Sequence, residues 1–188
     1  MTANEKEKFR HWARKISASD ERAFSELFHE LYPRLVRFAW KYVRQKAPAH
    51  DIVQEVFIKL WNIRSSVDPK QSLLSLLYKM VRNQSLNHLR DQADSNISLD
   101  ESPPEALKTE AFIEEEDNGQ QITEKMLSWV EALPKRQCEA IKLSRFEGLD
   151  HDEIACVMQI SPRTVNNHIV EALKTLKKEW RAYRVKHA

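Results

Sequence analysis

Only two glycines, Gly119 and Gly148, occur in 188 residues. Glycine most readily takes the positive φ of a tight hairpin turn, and alternating runs of Val, Ile and Thr are scarce as well. A chain short of both turns and strands is expected to be all-α, and its length suits one domain or two small ones.

The charge divides the chain. Over 1–91 Lys/Arg outnumber Asp/Glu 17 to 10, over 121–188 they do so 12 to 9, and over 92–120 one faces nine, giving +7, +3 and −8. The acidic stretch, with Pro103-Pro104 and a carboxylate cluster at Glu114 to Asp117, has too little apolar periodicity to offset its ordering entropy. Two small helical domains, 1–91 and 121–188, joined by a flexible acidic linker, 92–120, are therefore expected. Extended, that linker could reach about 100 Å.

The N-terminal MTANEKEKFRHWARK is charged from its start, and no segment approaches the roughly 18 uninterrupted apolar residues of a membrane span. A cytoplasmic protein without direct membrane insertion is expected, in which the sequons at Asn83 and Asn96 have no consequence. Cys138 and Cys156 lack the spacing of a metal or redox pair and read as buried thiols. With no HExxH, no phosphate-binding glycine loop and no nucleophile beside a base, the chain carries no sign of an enzyme, a cofactor or a metal site.

In the C-terminal part, Ser161 suits an N-cap and Pro162 a first helical position. Val165, Ile169, Ala172, Leu173, Leu176 and Trp180 then form an apolar stripe. Opposite lie Arg163, Thr164, Asn167, Glu171, Lys174 and Lys178, flanked by Asn166 and His168. Upstream, Asp150 and Glu153 make a capping box before Ile154, Ala155 and Met158. A short helix, a turn at 158–160 and a longer helix predict a helix-turn-helix, although Gln159 stands where a left-handed glycine is common. Its polar face suits the major groove, where amides and guanidinium groups read base edges; it also suits plain solvent. Two further helices precede it: one presenting Ile122, Met126, Trp129, Val130 and Leu133, and one ending at Gly148. A four-helix domain results.

In the N-terminal part Ser19 is the expected cap of a helix that Pro33 should kink or restart. AHDIVQEVFIKLW is apolar on two sides, with Ile52, Val53, Val56 and Leu60 on one and Phe57, Ile58 and Trp61 on the other; Asp51, Gln54 and Glu55 lie between. Either a partner or a neighbouring helix of the same bundle satisfies the second side. After a loop, Leu73, Leu74, Leu77, Met80 and Val81 make a core face. Around it Tyr78, Arg82, Asn83, Asn87, His88 and Arg90 suit the holding of unpaired bases, or ordinary surface.

DIVQEVFIKLW, LLYKMVRNQSLNHLR and LPKRQCEAIKLSRFEGLDHDEIACVMQISPRTVNNHIVEALKTLKK, in that order across a variable linker, resemble the extracytoplasmic-function subfamily of sigma-70 family RNA polymerase sigma factors. The resemblance implies an alternative sigma factor whose first domain binds core polymerase and opens the promoter −10 element, and whose second reads the −35 element. It places Asp51, Gln54, Glu55 and Phe57 on or beside the polymerase-docking surface, with Ile58 and Trp61 on the same second face. It assigns the loop from Arg64 to Gln71, with Ser65 and Ser66, to a pocket with Asn83 for a flipped −10 base. Tyr78, Arg82, His88 and Arg90 would then border the opened strand. Arg163, Thr164, Asn166, Asn167, His168 and Lys174 would face the −35 duplex. Leu76 stands where the family usually has Trp or Tyr, and Asn167 where Lys or Arg is frequent. The implied partners are bacterial core RNA polymerase, promoter DNA and an anti-sigma factor, membrane-bound in many members. The helix-turn-helix also resembles that of LuxR-type regulators, which would add a receiver domain of alternating strands and helices; a helical adaptor binding only protein is the other alternative.

Overall fold

The computed structural model describes residues 3–96 and 119–186, so most of the linker read in 92–120 lies outside the described residues. Among the described residues there are eight α-helices and no strand. They are α1 (Ala3–Ser17), α2 (Glu21–Val43), α3 (Lys46–Asn62), α4 (Leu73–Asn96), α5 (Gly119–Glu131), α6 (Lys135–Arg145), α7 (His151–Met158) and α8 (Pro162–Lys186), with a 3-10 turn at Arg64–Ser66. The chain divides into two compact units, the first built on α1 to α4 and including Ala155–Gln159 of α7 and the turn after it, the second built on α5, α6 and α8. α4 runs to Asn96, so its last turn occupies positions expected to be linker.

In the first unit α2 is central and packs on α1, α3 and α4. Leu27, Leu31 and Leu35, one helical turn apart, are fully buried. Of the kink or restart expected at Pro33, the restart does not occur: α2 passes through Pro33 without ending. A proline inside a helix costs about 3 kcal/mol, whereas each of those leucines contributes roughly 1.5–3 kcal/mol by burial. Pro33 itself faces solvent. Packing therefore outweighs the break.

The expected cap at Ser19 shifts by one residue. Ser19 takes the left-handed conformation, φ 64°, just past the end of α1, and its N–H donates to the Ile16 carbonyl at 2.8 Å. Asp20 is the N-cap of α2, accepting the Ala23 N–H at 3.0 Å. That hydrogen bond, seconded by Lys15 at 3.7 Å, holds the Asp20 carboxyl below the usual carboxylate range.

In the second unit α8 is the shared element, packing on α5 and α6. α6 ends at Arg145 with Phe146 as its C-cap, two residues before the expected Gly148, which takes φ 70° in the turn that follows; there the Leu149 N–H donates back to the Leu143 carbonyl at 3.1 Å. The apolar stripes are shorter than periodicity suggests. Val165, Ile169 and Ala172 are buried but Leu173 is exposed; on α5 Val130 is buried whereas Ile122 and Met126 are exposed, and Leu133, expected on this helix, is buried just past its end. α5 is held at its C-terminal end, where Trp129 meets Trp180 and Tyr183 edge-on with ring centroids 6.4 and 5.7 Å apart. Cys138 is buried and desolvation raises its thiol pKa; Cys156, expected to be buried, is exposed.

Candidate functional site

Three surfaces carry the residues singled out by sequence. The first is the outer face of α3. Asp51, Gln54, Glu55 and Ile58 follow the i, i+3, i+4, i+7 spacing of one helical stripe and are all exposed, Ile58 by 62%. Phe57 is not on this surface. It is 2% exposed because α2 supplies an aromatic row against it, with Phe24, Phe28 and Tyr32 centroids at 6.0, 4.8 and 6.4 Å. Trp61, half-buried, leans on Phe24 at 4.9 Å. The second apolar side of α3 is thus largely satisfied within its own unit, and Ile58 is the part left over.

The second surface is the loop after α3 together with the middle of α4. Arg64 stacks on the Trp61 ring at 4.4 Å, donates from Nε to Ser19 Oγ at 2.9 Å, and donates again to the Trp61 carbonyl at 2.7 Å. It ties the loop to the α1–α2 turn, so its guanidinium is already engaged rather than reaching outward. Ser65 is exposed, while the Ser66 hydroxyl donates to the Ile63 carbonyl at 2.7 Å. Asp68 orders the rest of the loop by accepting the Lys70 N–H at 2.9 Å, and Ser72 caps α4 by accepting the Ser75 N–H at 3.2 Å.

On α4, Tyr78 and Arg82 do not reach the surface. Tyr78 is fully buried edge-on to Phe38 at 4.9 Å, and Arg82 is 7% exposed. Neither can stack on or border a nucleic-acid strand, because both lie on the side of α4 that the bundle covers. Asn83 remains half-exposed and opens into a groove of about 420 Å³ between α3 and α4, lined also by Glu55, Val56, Lys59, Met80, Gln84 and Asn87. Gln84 donates to Glu55 across it at 2.6 Å. Glu55 and Asn83, assigned by sequence to separate tasks, therefore share one groove, and Lys59 and Gln84 were missed; the amide run Asn83, Gln84, Asn87 was the available signal. His88 Nε2 lies 3.0 Å from the Gln92 amide nitrogen, and Arg90 is exposed beside Asp91 at 3.8 Å.

The third surface is the start of α8. The predicted capping box of α7 is present in both directions: the Asp150 N–H donates to Glu153 Oε2 and the Glu153 N–H to Asp150 Oδ1, each at 2.9 Å. After Met158, Gln159 takes φ 57° in place of the expected glycine. Ser161 then caps α8, accepting the Thr164 N–H at 3.1 Å, with the two hydroxyls 2.8 Å apart. Thr164 is thereby engaged in the cap and half-exposed. Arg163, Asn166 and Asn167 are exposed, His168 is half-exposed, and Lys174 is exposed and paired with Glu171 at 2.7 Å. Neutral amides and cations projecting from the first turns of a capped helix suit hydrogen bonding to base edges and phosphates.

Residues 27–94 match the family model of Sigma-70 region 2, and residues 123–176 that of Sigma-70, region 4. The RNA polymerase sigma-H factor of Pseudomonas aeruginosa is 26% identical over 172 residues, covering 87% of this chain and 89% of that protein. The ECF RNA polymerase sigma-E factor of Escherichia coli K12 is 25% identical over 170 residues, covering 86% and 88%. Among solved structures, the sigma factor RpoE from Bartonella quintana, crystallised with the anti-sigma factor NepR, has a TM-score of 0.66 at 20% identity, covering 84% of this chain and 96% of that one. CnrH, solved with the cytosolic domain of CnrY, gives 0.63 at 19%, covering 93% and 98%. These two structures share the fold. The LuxR-type alternative falls on the region 2 match, which occupies the part where a receiver domain would stand.

Proposed function

The chain belongs to the sigma-70 family as an alternative, extracytoplasmic-function sigma factor that directs transcription initiation, and on that premise we propose which of its surfaces engage polymerase and promoter. The stripe Asp51, Gln54, Glu55 and Ile58 docks core RNA polymerase. Asn83 and the α3–α4 groove, with Ser65 and Ser66 of the adjoining loop, hold unpaired −10 bases, and Arg64 positions that loop. Arg163, Asn166, Asn167 and Lys174 face the −35 duplex. The modules are 1–91 and 121–188 with acidic 92–120 between them, and they work as an initiation factor in the cytoplasm rather than as a catalyst. Because the Bartonella relative was crystallised with an anti-sigma factor, an inhibitor of that kind is proposed for this chain as well.

Ile58 carries the docking assignment. A 62%-exposed isoleucine inside a polar stripe, on a helix whose other large apolar residues are covered, is apolar area held for a partner. Loss of its burial on docking is worth roughly 1.5–3 kcal/mol, so Ile58→Asp should weaken binding to purified core polymerase by about ten- to a hundredfold and cut run-off transcription from a library of upstream regions in proportion. Unchanged core affinity would remove α3 from the interface, and no promoter-dependent product from the wild-type chain would remove the initiation role altogether.

A further inference from the structure

α8 is longer than reading a promoter element requires. Its 25 residues extend about 37 Å, whereas the major groove is about 12 Å wide and the candidate reading residues 163–168 occupy only its first turns. The match to region 4 stops at 176. Beyond it the composition changes: residues 174–188 contain six Lys/Arg and one acidic residue, Glu179.

The placement of these cations is as informative as their number. At 3.6 residues per turn, Lys174, Lys177, Lys178, Arg181 and Arg184 fall within about 120° of arc, and Arg163, Asn166 and Asn167 lie in the same arc. All are exposed. The opposite arc is fixed by packing, with Val165, Ile169 and Ala172 buried and with Trp180 and Tyr183 against Trp129. α8 therefore cannot roll to aim its cations elsewhere. Among the described residues the ion pairs of this region engage Lys174, through Glu171, and not Lys177, Lys178, Arg181 or Arg184. Four aligned cations without carboxylate partners, collinear with base-reading residues, call for a polyanion that continues past the reading site. A DNA backbone is such a polyanion.

We propose that the C-terminal half of α8 is a second DNA-contact segment, in which Lys177, Lys178, Arg181 and Arg184 run along phosphates flanking the base pairs read by the first half. Phosphates carry no sequence information, so the segment supplies affinity and leaves discrimination unchanged. The inference rests on the reading of α8 as the −35-facing helix. The continuity of one arc favours DNA over an acidic protein surface, which would have no reason to align with Arg163 and Asn167.

The test uses the full chain and two fluorescent 30-base-pair duplexes, one carrying an upstream region active in run-off transcription and one of random sequence, titrated from 50 to 200 mM KCl. Each phosphate contact contributes about 0.9 to the slope of log K against log salt. Replacing the four residues together by glutamine, which keeps helix propensity and length, should flatten the slope by about 3 to 4 and weaken both duplexes by the same factor, roughly tenfold or more at 150 mM. An unchanged slope overturns the proposal, as does a loss confined to transcription, which would assign the stripe to a protein. If the wild-type chain still initiates at promoters while its slope is indifferent to these residues, the sigma reading stands and only this segment is withdrawn. Matching circular dichroism melts of variant and wild type confirm that charge and not folding is read.

Discussion

Gln159 and Gly148 hold the same left-handed backbone, at φ 57° and 70°, with different side chains. A Cβ in that conformation costs about 1–2 kcal/mol, and glycine recovers most of this against its greater unfolded-state entropy. Gln159→Gly is therefore expected to stabilise the chain by roughly 0.5–1 kcal/mol, and Gly148→Ala to destabilise it by about 1–2 kcal/mol; urea midpoints measure both, and a shift of the same sign for the two would contradict the account. At this scale the sequence is readable wherever the interaction is local. Asp150 with Glu153 and Ser161 with Thr164 are bonds spanning three residues, and each forms as its spacing implies. Phe57 and Tyr78 were misplaced for the opposite reason. A helical wheel shows that a residue leaves the main apolar face; it does not show that α2 brings Phe24, Phe28 and Phe38 to meet it there.

For whole elements, existence was legible for α2 to α8 but not for α1, whose residues read only as a charged N-terminus, and extent was not legible. α5 carries four of the apolar residues read at helical spacing, Ile122, Met126, Trp129 and Val130, yet only its C-terminal end finds cover, because the aromatic ring cluster that meets it comes from the far end of α8. α2 runs through Pro33 because leucines on its buried face outweigh one missing hydrogen bond. The start of α2 gives an element-scale prediction. Asp20 has a carboxyl pKa depressed by the Ala23 N–H, so the folded state binds the proton less readily than the unfolded chain. Its contribution is fully present above the ordinary carboxylate pKa and is lost as pH falls through the depressed folded value. Asp20→Ala should thus lower Tm at pH 7, and the gap from wild type should close as the pH is taken down through the acid range. A gap that persists undiminished below that range would show that the cap acts through something other than its charge.

The molecule as a whole consists of two cationic helical units on one chain, separated in sequence by its most acidic stretch. Glycine scarcity and the three-way division of charge made this legible without any contact being known, because both are properties of composition along the chain. The exposed surfaces of the two units differ in chemistry: α3 and α4 offer apolar area and amides, while α8 offers amides and cations. If both engage one polymerase–promoter assembly at once, the covalent link turns the second contact into an intramolecular event, and tethering of this kind adds about 10²- to 10⁴-fold to overall affinity. Residues 1–96 and 119–188 supplied as separate polypeptides should then each fold and each keep its own binding, the first to core polymerase and the second to duplex DNA. Their mixture should support run-off transcription only at concentrations some hundredfold or more above those of the intact chain. Equal activity of mixture and intact chain at the same low concentration would mean that the two units do not act on the assembly together, and that each surface described above serves its partner independently.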